Sequence, residues 1–165
     1  MPVLHRPATP NDAAALADIL NDIIRAGGTT AHQSEFTSDR MARHYIDRAG
    51  TVSCTVAELD GEVAGFQALM WPDEEGQPFP DGWAIIATFV DEKASGQGVG
   101  RALFQGTRAA AVLNGVKTID ATIRADNTGG LAYYDSLGFA DYDVLRAVPL
   151  RDGRNVDRIR KRLDI

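Results

Sequence analysis

Apolar and polar positions alternate along the chain in patterns that predict four helices and six or seven strands. Apolar residues recur at helical spacing between residues 16 and 24, and again through residues 101–114. The remaining apolar runs are short, and they either alternate with polar residues or are apolar throughout, as strands are. The predicted strands cover residues 3–6, 51–59, 62–71, 83–90, 116–124, 141–148 and 157–163.

Capping residues set the expected ends of the first two helices. Thr9 followed by Pro10 is typical of a helix start, and Gly27 is typical of a helix end. Ser38 is expected to cap a second helix over residues 39–49. These two helices are therefore predicted to precede most of the sheet.

Turn residues predict how the following elements connect. Asp60 and Gly61 form a hairpin signal between two strands, and Gly65 in the returning strand indicates a bulge. Asn127 or Thr128 is expected to cap the fourth helix. A final hairpin should turn around residues 152–153.

The predicted elements indicate one mixed α/β domain over residues 1–165. Strands 83–90 and 116–124 are joined by a helix, so they should lie parallel through a right-handed crossover. The other strands follow hairpins or lie next to them, which favours a largely antiparallel sheet. A sheet with one parallel pair near its centre can splay there and hold a ligand.

Composition narrows the class of protein. The 165 residues are 44% apolar, enough for one domain with one core, and the single Cys54 excludes an internal disulfide. A net charge of −6 argues against nucleic acid as a partner. We find neither a membrane-spanning apolar segment nor an apolar signal core. We therefore expect a soluble, cytoplasmic protein without membrane contact.

Three alternate glycines mark the junction between the apolar strand and the helix over residues 101–114. Gly96, Gly98 and Gly100 permit positive φ angles and a close ligand approach. A strand, a glycine loop and a helix start together favour an anion such as a phosphate. The spacing differs from that of dinucleotide-binding and P-loop motifs. A flexible turn before a helix is the alternative interpretation.

Two stretches resemble the signatures of the GCN5-related N-acetyltransferase (GNAT) family. Residues 95–100 read SGQGVG, similar to the family's acyl-CoA loop, and residues 127–139 read NTGGLAYYDSLGF, similar to its next signature. They stand in the family's order with a strand-like stretch between them. Ser95 replaces the usual Arg or Gln, and Gly130 replaces the usual Ala. The resemblance implies the GNAT fold. It also implies a bulge in the strand over residues 83–90, whose free backbone amides would receive the thioester carbonyl.

The resemblance also implies acetyl-CoA as acyl donor and a set of residues that bind it. Tyr134 would protonate the leaving thiolate as well as contact the cofactor, whereas its neighbour Tyr133 should point elsewhere. Main-chain nitrogens of the glycine loop would hold the pyrophosphate. Ser95 cannot supply the charge of the family's Arg, which predicts weaker binding. The implied cofactor-binding residues are Phe89, Val90, Gln97, Gly98, Val99, Gly100, Arg101, Ala102, Asn127 and Tyr134.

The acceptor is implied only in outline. The first third of the chain is similar to the family's phosphinothricin acetyltransferase-like branch, which implies a small, amino-acid-like primary amine. The segment between the first two helices would then place Thr30, His32 and Glu35 near this substrate. An ordinary surface loop is the alternative for that segment.

The sequence does not identify a general base, and it predicts no metal site. In many family members a Glu lies on the strand before the glycine loop, but residues 85–88 contain none. A water chain or one of Glu35, Glu74, Glu75 and Asp81 could remove the proton. Neither His32 nor His44 has a second ligand at metal-binding spacing, so we expect no metal.

Two other functions stay open at this point. A non-catalytic acyl-CoA-binding sensor would suit the Ser95 substitution and the missing base. A protein or peptide N-acetyltransferase would suit the acidic balance of the chain. A homodimer is compatible with the sequence, which does not decide the oligomeric state.

Overall fold

A computed structural model describes residues 2–76 and 78–165. In these residues, seven strands and four α-helices follow one another along the chain. Short 3₁₀ turns, Pro10–Asp12 and Glu92–Ala94, precede the first and third helices. The elements are β1 (Leu4–Pro7), α1 (Ala13–Ala26), α2 (Ser38–Met41), β2 (Thr51–Leu59), β3 (Glu62–Met70), β4 (Trp83–Val90), α3 (Val99–Leu113), β5 (Thr118–Arg124), α4 (Thr128–Ser136), β6 (Ala140–Pro149) and β7 (Asn155–Asp164).

All seven strands form one sheet in the order β1-β2-β3-β4-β5-β7-β6. Each neighbouring pair is antiparallel except β4 and β5, which are parallel as predicted. The parallel ladder joins only Trp83 to Thr118, Ala84 to Ile119 and Ile85 to Asp120. Beyond Ile85 the two strands diverge, so a gap opens in the middle of the sheet.

The two faces of the sheet carry separate apolar clusters. Leu16 and Leu20 of α1 pack with Phe66 on one face. Phe104 of α3 and Phe139 pack with Ile119 on the opposite face. Because successive strand residues point to opposite faces, β4 contributes to both clusters: Ala87 and Phe89 join the first, and Ala84 and Ile86 join the second.

The hairpin between β2 and β3 forms as predicted. Asp60 and Gly61 have φ angles of 54° and 81°, which suit a two-residue hairpin loop. The pairing of β2 with β3 shifts between Ala57, which pairs with Gly65, and Glu58, which pairs with Val63, so the extra residue is Ala64, next to Gly65. A side chain at Gly65 would meet the Phe89 carbonyl oxygen at 2.9 Å, so this glycine permits β3 and β4 to approach each other.

Two details of the fold differ from the sequence-based expectations. The second helix is only Ser38–Met41, followed by a π-helical turn at Ala42–Ile46, instead of a helix over residues 39–49. It begins one residue early because the Thr37 side chain, not that of Ser38, accepts a hydrogen bond from the Arg40 amide at 3.1 Å. The wider turn buries Tyr45 in the core.

The second difference concerns β4. The resemblance implied a bulged strand, but β4 pairs with β3 without a register shift from Gly65–Val90 to Met70–Ile85. The free backbone edge of β4 arises from its divergence from β5, not from a bulge. None of the described helices is both long and apolar enough to cross a membrane.

Candidate active site

A cleft of about 1050 Å³ opens where β4 and β5 diverge. The second half of β4, from Ile86 to Val90, forms one side, and the end of β5, from Thr122 to Arg124, forms the other. The glycine loop, the start of α4 and the segment after α1 complete the lining. The cleft therefore reaches both faces of the sheet.

One wall of the cleft, residues 95–101, is called the glycine-loop wall. Gly96 and Gly98 adopt φ angles of 74° and 86°, so both need a residue without Cβ. The amide of Ala102 donates to the Gly98 carbonyl at 3.0 Å as α3 begins. The three preceding N–H groups, of Val99, Gly100 and Arg101, therefore have no partner within the helix.

The space at Gly98 fits an anionic ligand. A side chain added at Gly98 would meet no atom within 4 Å, so the backbone there faces open cleft. The unpaired amides and the positive end of the α3 dipole point toward this space, as they do in phosphate-binding sites. The loop is anchored because the Asp91 amide donates to the Ala64 carbonyl at 2.8 Å.

Tyr133 joins α4 to the start of α3. Its hydroxyl donates to the Gly100 carbonyl at 2.7 Å, and a Cβ at Gly100 would lie 2.7 Å from the Tyr133 ring. The expectation that Tyr133 points elsewhere was wrong, because its ring lies in the cleft lining, 5.0 Å from the Tyr134 ring. Gly100 is thus needed for contact with a tyrosine as well as for the loop.

Tyr134 lies at the point where the strands diverge. Its hydroxyl is 2.7 Å from the Thr88 hydroxyl, and either group can donate this hydrogen bond. The amide nitrogen of buried Gln67 donates both to the Thr88 hydroxyl at 2.8 Å and to the Tyr133 hydroxyl at 3.0 Å. Burial raises the pKa of both phenols, that of Tyr133 to about 12. Both tyrosines are therefore protonated at neutral pH.

The opposite wall is called the α1 wall and comprises residues 29–32, Tyr45, Phe89, Arg124 and Arg158. His32 Nε2 lies 2.6 Å from the Tyr45 hydroxyl, and the His32 ring lies 6.1 Å from that of Phe89. Burial, reinforced by the charges of nearby side chains, lowers the pKa of His32 to about 4. His32 is therefore neutral at neutral pH.

Hydrogen bonds attach the segment after α1 to the end of β5. The Arg124 guanidinium donates to the Thr30 carbonyl at 3.2 Å and also binds both carboxylate oxygens of Asp126, at 3.0 and 2.8 Å. The Asn127 side chain donates to the Thr29 carbonyl at 3.1 Å and accepts from the Gly130 amide at 2.9 Å. The α1 wall is thus held by polar contacts between residues about 95 positions apart.

The structure brings most of the predicted site residues together. Three of them do not line the cleft: Gln97 is exposed and its side chain donates to the Lys93 carbonyl, Ala102 is buried against the core, and Glu35 is exposed and pairs with Arg25. The predicted residues that do line it are Thr30, His32, Phe89, Val90, Gly98, Val99, Gly100, Arg101, Asn127 and Tyr134.

None of the acids suggested as a base lines the cleft. Glu35, Glu74, Glu75 and Asp81 all lie outside its lining. Among the described residues, no group of three or more His, Cys, Asp or Glu side chains could hold a metal ion. The carboxylates that do line the cleft are those of Asp22, Asp91 and Glu92, beside hydroxyl, amide, imidazole, ammonium and guanidinium groups.

Sequence reasoning missed several residues of the site. Thr88 could have been found, because it is a polar residue in the otherwise apolar second half of β4. Gln67, Tyr45 and Arg158 gave no local signal, since they reach the cleft or its network only through the packing of distant strands and helices.

A splayed parallel strand pair, a glycine loop at a helix start and a buried tyrosine at the divergence define an acyltransferase-type site. The model of the Acetyltransferase (GNAT) family matches residues 15–139 of the chain. The chain therefore belongs to the GNAT family of acetyltransferases, and it is an acyltransferase, as the sequence indicated.

Individual relatives agree with this assignment. The chain is 27% identical to the phosphinothricin N-acetyltransferase of Streptomyces viridochromogenes over 157 residues, which cover 92% of this chain and 82% of that one. The ribosomal-protein-alanine N-acetyltransferase of Brucella melitensis superposes with a TM-score of 0.83 at 25% identity, covering 98% of this chain and 99% of that one.

The fold also matches a structure that contains the acyl donor. A GNAT superfamily phosphinothricin acetyltransferase of Sinorhizobium meliloti, in complex with AcCoA, superposes with a TM-score of 0.83 at 18% identity. The alignment covers 100% of this chain and 89% of that one. The GNAT fold expected from the two sequence signatures is thereby confirmed.

Proposed function

We propose that this protein transfers an acetyl group from acetyl-CoA to the primary amine of a small, amino-acid-like molecule. The observation that carries the proposal is the 2.7 Å contact between the hydroxyls of Tyr134 and Thr88. It lies where the parallel strands separate, in the same cleft as the unpaired amides of the glycine-loop wall. A proton donor and an anion cradle thus face one space.

The donor half of the cleft fits coenzyme A. Its pyrophosphate would accept hydrogen bonds from the amides of Val99, Gly100 and Arg101, in the open space at Gly98. The exposed Arg101 and Lys93 also line the cleft and add positive charge. The pantetheine arm would follow the gap between β4 and β5 toward Tyr134.

The bound thioester supplies an activated acetyl group, and the residues of the chain supply the proton that the leaving sulfur takes up. In the transfer a bond forms between the amine nitrogen and the acetyl carbon while the carbon–sulfur bond breaks, so the sulfur leaves as a thiolate. The Tyr134 phenol is held by Thr88 and can give its proton to this sulfur. Positioned acids of this kind contribute about 10²- to 10⁴-fold in rate.

The hydrogen-bonded network around Tyr134 fixes which proton is available. Gln67 donates a hydrogen bond to the Thr88 oxygen, and the Tyr133 hydroxyl donates one to the Gly100 carbonyl. When the Thr88 hydroxyl donates to Tyr134, the Tyr134 proton is free to point into the cleft. None of the four acids suggested as a base lines the cleft. Two of the carboxylates that do line it are engaged, Asp22 with Arg25 and Asp91 with the Lys93 amide, so we infer that water carries the amine proton away.

A small acceptor suits the α1 wall better than a folded protein does. Gln33, next to this wall, accepts from the Arg151 amide at 2.8 Å, which links the segment after α1 to the turn between β6 and β7. This bridge restricts access to the wall from that side. A peptide amine is the second candidate, because the Brucella melitensis structure named above is a ribosomal-protein-alanine N-acetyltransferase of the same fold.

Thiol release from acetyl-CoA tests the proposal. The protein is incubated with acetyl-CoA and a panel of amino acids, simple amines and peptides with free N-termini, and acetylated products are identified by mass. We expect turnover with amino-acid-like amines and little with peptides. Turnover with peptides alone would favour the second candidate. Tight binding of acetyl-CoA without thiol release for any amine would indicate a non-catalytic acyl-CoA sensor.

A further inference from the structure

Two arginines lie side by side in the α1 wall. Arg124 ends β5 and Arg158 lies in β7, and the two residues are register partners in the antiparallel ladder. Both line the cleft. Like charges directly opposite each other in a sheet are unfavourable, so this placement needs a compensating negative charge.

Among the described residues, only one of the two arginines forms an ion pair with a carboxylate. Arg124 binds both carboxylate oxygens of Asp126. Arg158 has no ion pair with any described residue, and its Nε is buried without a hydrogen-bond partner. Burial and the charge of Arg124 lower the pKa of Arg158. A guanidinium left in this state is stabilised by an incoming anion.

The acid next to Arg158 in sequence and the acid of α1 that lines the cleft are both engaged. Asp157 accepts from the Ala147 amide at 2.8 Å and from Arg146 at 3.2 Å. Asp22 pairs with Arg25 at 3.1 Å. The protein thus holds a half-buried guanidinium that faces a ligand cleft without a bound carboxylate.

The position of the pair indicates the acceptor half of the cleft. Ile123 points to the face of α3 and α4, where it packs in one cluster with Tyr134. Arg124 is the next residue of the strand, so it points to the α1 face, where it binds the Thr30 carbonyl. Arg158, its register partner, lies on the same face. The glycine-loop wall, which suits the phosphates, would hold an anion with α3 amides instead.

We propose that Arg158 binds a carboxylate group of the acceptor and so selects amines that carry one. The inference rests on the proposed function, since it names the class of substrate for the same cleft. A guanidinium presents a planar fork of donors that matches the two oxygens of a carboxylate. Arg124, already fixed by Asp126, adds positive potential beside it.

Paired acceptors test this selection. Turnover is measured with α-, β- and γ-amino acids and with the amide of each one, which keeps the amine and removes the negative charge. We expect the wild type to prefer the best acid over its amide by about 10- to 100-fold in kcat/KM, the size of a lost charge-assisted hydrogen bond. In Arg158→Gln this preference should disappear, because kcat/KM for the acid should fall toward the value for its amide.

The matched control is Arg162→Gln. Arg162 lies four positions after Arg158 on the same strand, so its side chain lies on the same face of the sheet. It pairs with Asp164 and does not line the cleft. Arg162→Gln removes the same charge but should keep the preference for the acid over its amide. Thermal unfolding of both variants shows whether they fold. Arg158→Lys should restore part of the preference, because it keeps the charge without the fork.

Direct binding separates this inference from the proposed function. Calorimetric titration of the CoA-saturated protein with each acid and each amide needs no turnover. Binding of acids only, lost in Arg158→Gln, supports the carboxylate site even if no amine is acetylated. Equal use or equal binding of acids and amides by the wild type, or equal losses in both variants, would overturn the carboxylate site while leaving acetyl transfer intact.

Discussion

The glycine-loop wall presents backbone groups to the cleft, whereas the α1 wall presents side chains. The first is built from consecutive residues, 95–101, at one loop and one helix start. The second combines Thr30, Tyr45, Arg124 and Arg158, which come from four separate parts of the chain. A constant ligand part such as a pyrophosphate suits fixed amides, while an acceptor is distinguished by side chains that can differ between relatives.

The difference predicts where substitutions act. Changes in the glycine-loop wall should alter binding of acetyl-CoA alone, and changes in the α1 wall should alter the choice of acceptor. The two tyrosines stand between the walls, so changes there should affect the chemical step. Three variants test this separation, and a fourth tests the burial of His32 in the α1 wall.

Tyr134→Phe should cause the largest loss. Removing the phenol removes the group that protonates sulfur, so kcat should fall about 10²- to 10⁴-fold. The affinity for CoA should change little, because the ring stays in its cluster. Steady-state kinetics and a CoA titration measure the two effects. Tyr133→Phe is the neighbouring control, which breaks the bond to the Gly100 carbonyl instead. Equal kcat losses in the two variants would contradict the proposal that Tyr134 alone protonates the sulfur.

Gly98→Val should weaken CoA binding by about 10- to 100-fold, since it shields amides that make charge-assisted hydrogen bonds. Gly115→Val is the control at the other end of α3: its φ of 74° is also left-handed, and its surroundings are also open. Both variants should lose stability through backbone strain. Calorimetric titration with CoA should distinguish them, and an equal change in affinity would mean that strain alone explains the effect.

The same contrast explains what the sequence could reveal. The glycine loop and the Asn127-capped helix are local, so their residues could be compared directly with the GNAT signatures. The strand boundaries followed from apolar periodicity. Tyr133 was misjudged because adjacent helical residues diverge, yet both rings can still enter a cleft as wide as this one.

The acceptor side depended on topology that periodicity does not encode. Glu35 was predicted near the substrate from its place in the segment after α1, but its exposed side chain pairs with Arg25. Arg158 gave no signal, because it is one of four basic residues between positions 158 and 162. Only the register of β7 against β5 reveals that it faces the cleft.

His32 gives a pH test of the α1 wall. Its pKa falls from 6.5 to about 4 on folding, so between these values the unfolded chain binds more protons and stability falls as the pH falls. Between pH 7.5 and 5, wild type should lose about 1 kcal/mol more than His32→Gln, after allowing for partial exposure. Urea unfolding at several pH values measures this. An unchanged slope in His32→Gln would contradict the burial argument.

Ser95→Arg should have the smallest effect, in the opposite direction. Ser95 is exposed in the cleft lining, where the family resemblance implies Arg or Gln. An added guanidinium there would attract the pyrophosphate from solvent, and exposed ion pairs contribute about 0.2 to 1 kcal/mol. CoA should therefore bind about 1.5- to 5-fold more tightly, with a gain that declines as salt is added. Ser136→Arg is a control, because Ser136 also lines the cleft but lies at the end of α4. An unchanged affinity in Ser95→Arg would mean that the α3 amides already satisfy the phosphates. Ser95 would then not weaken CoA binding, and backbone groups alone would account for phosphate binding at the glycine-loop wall.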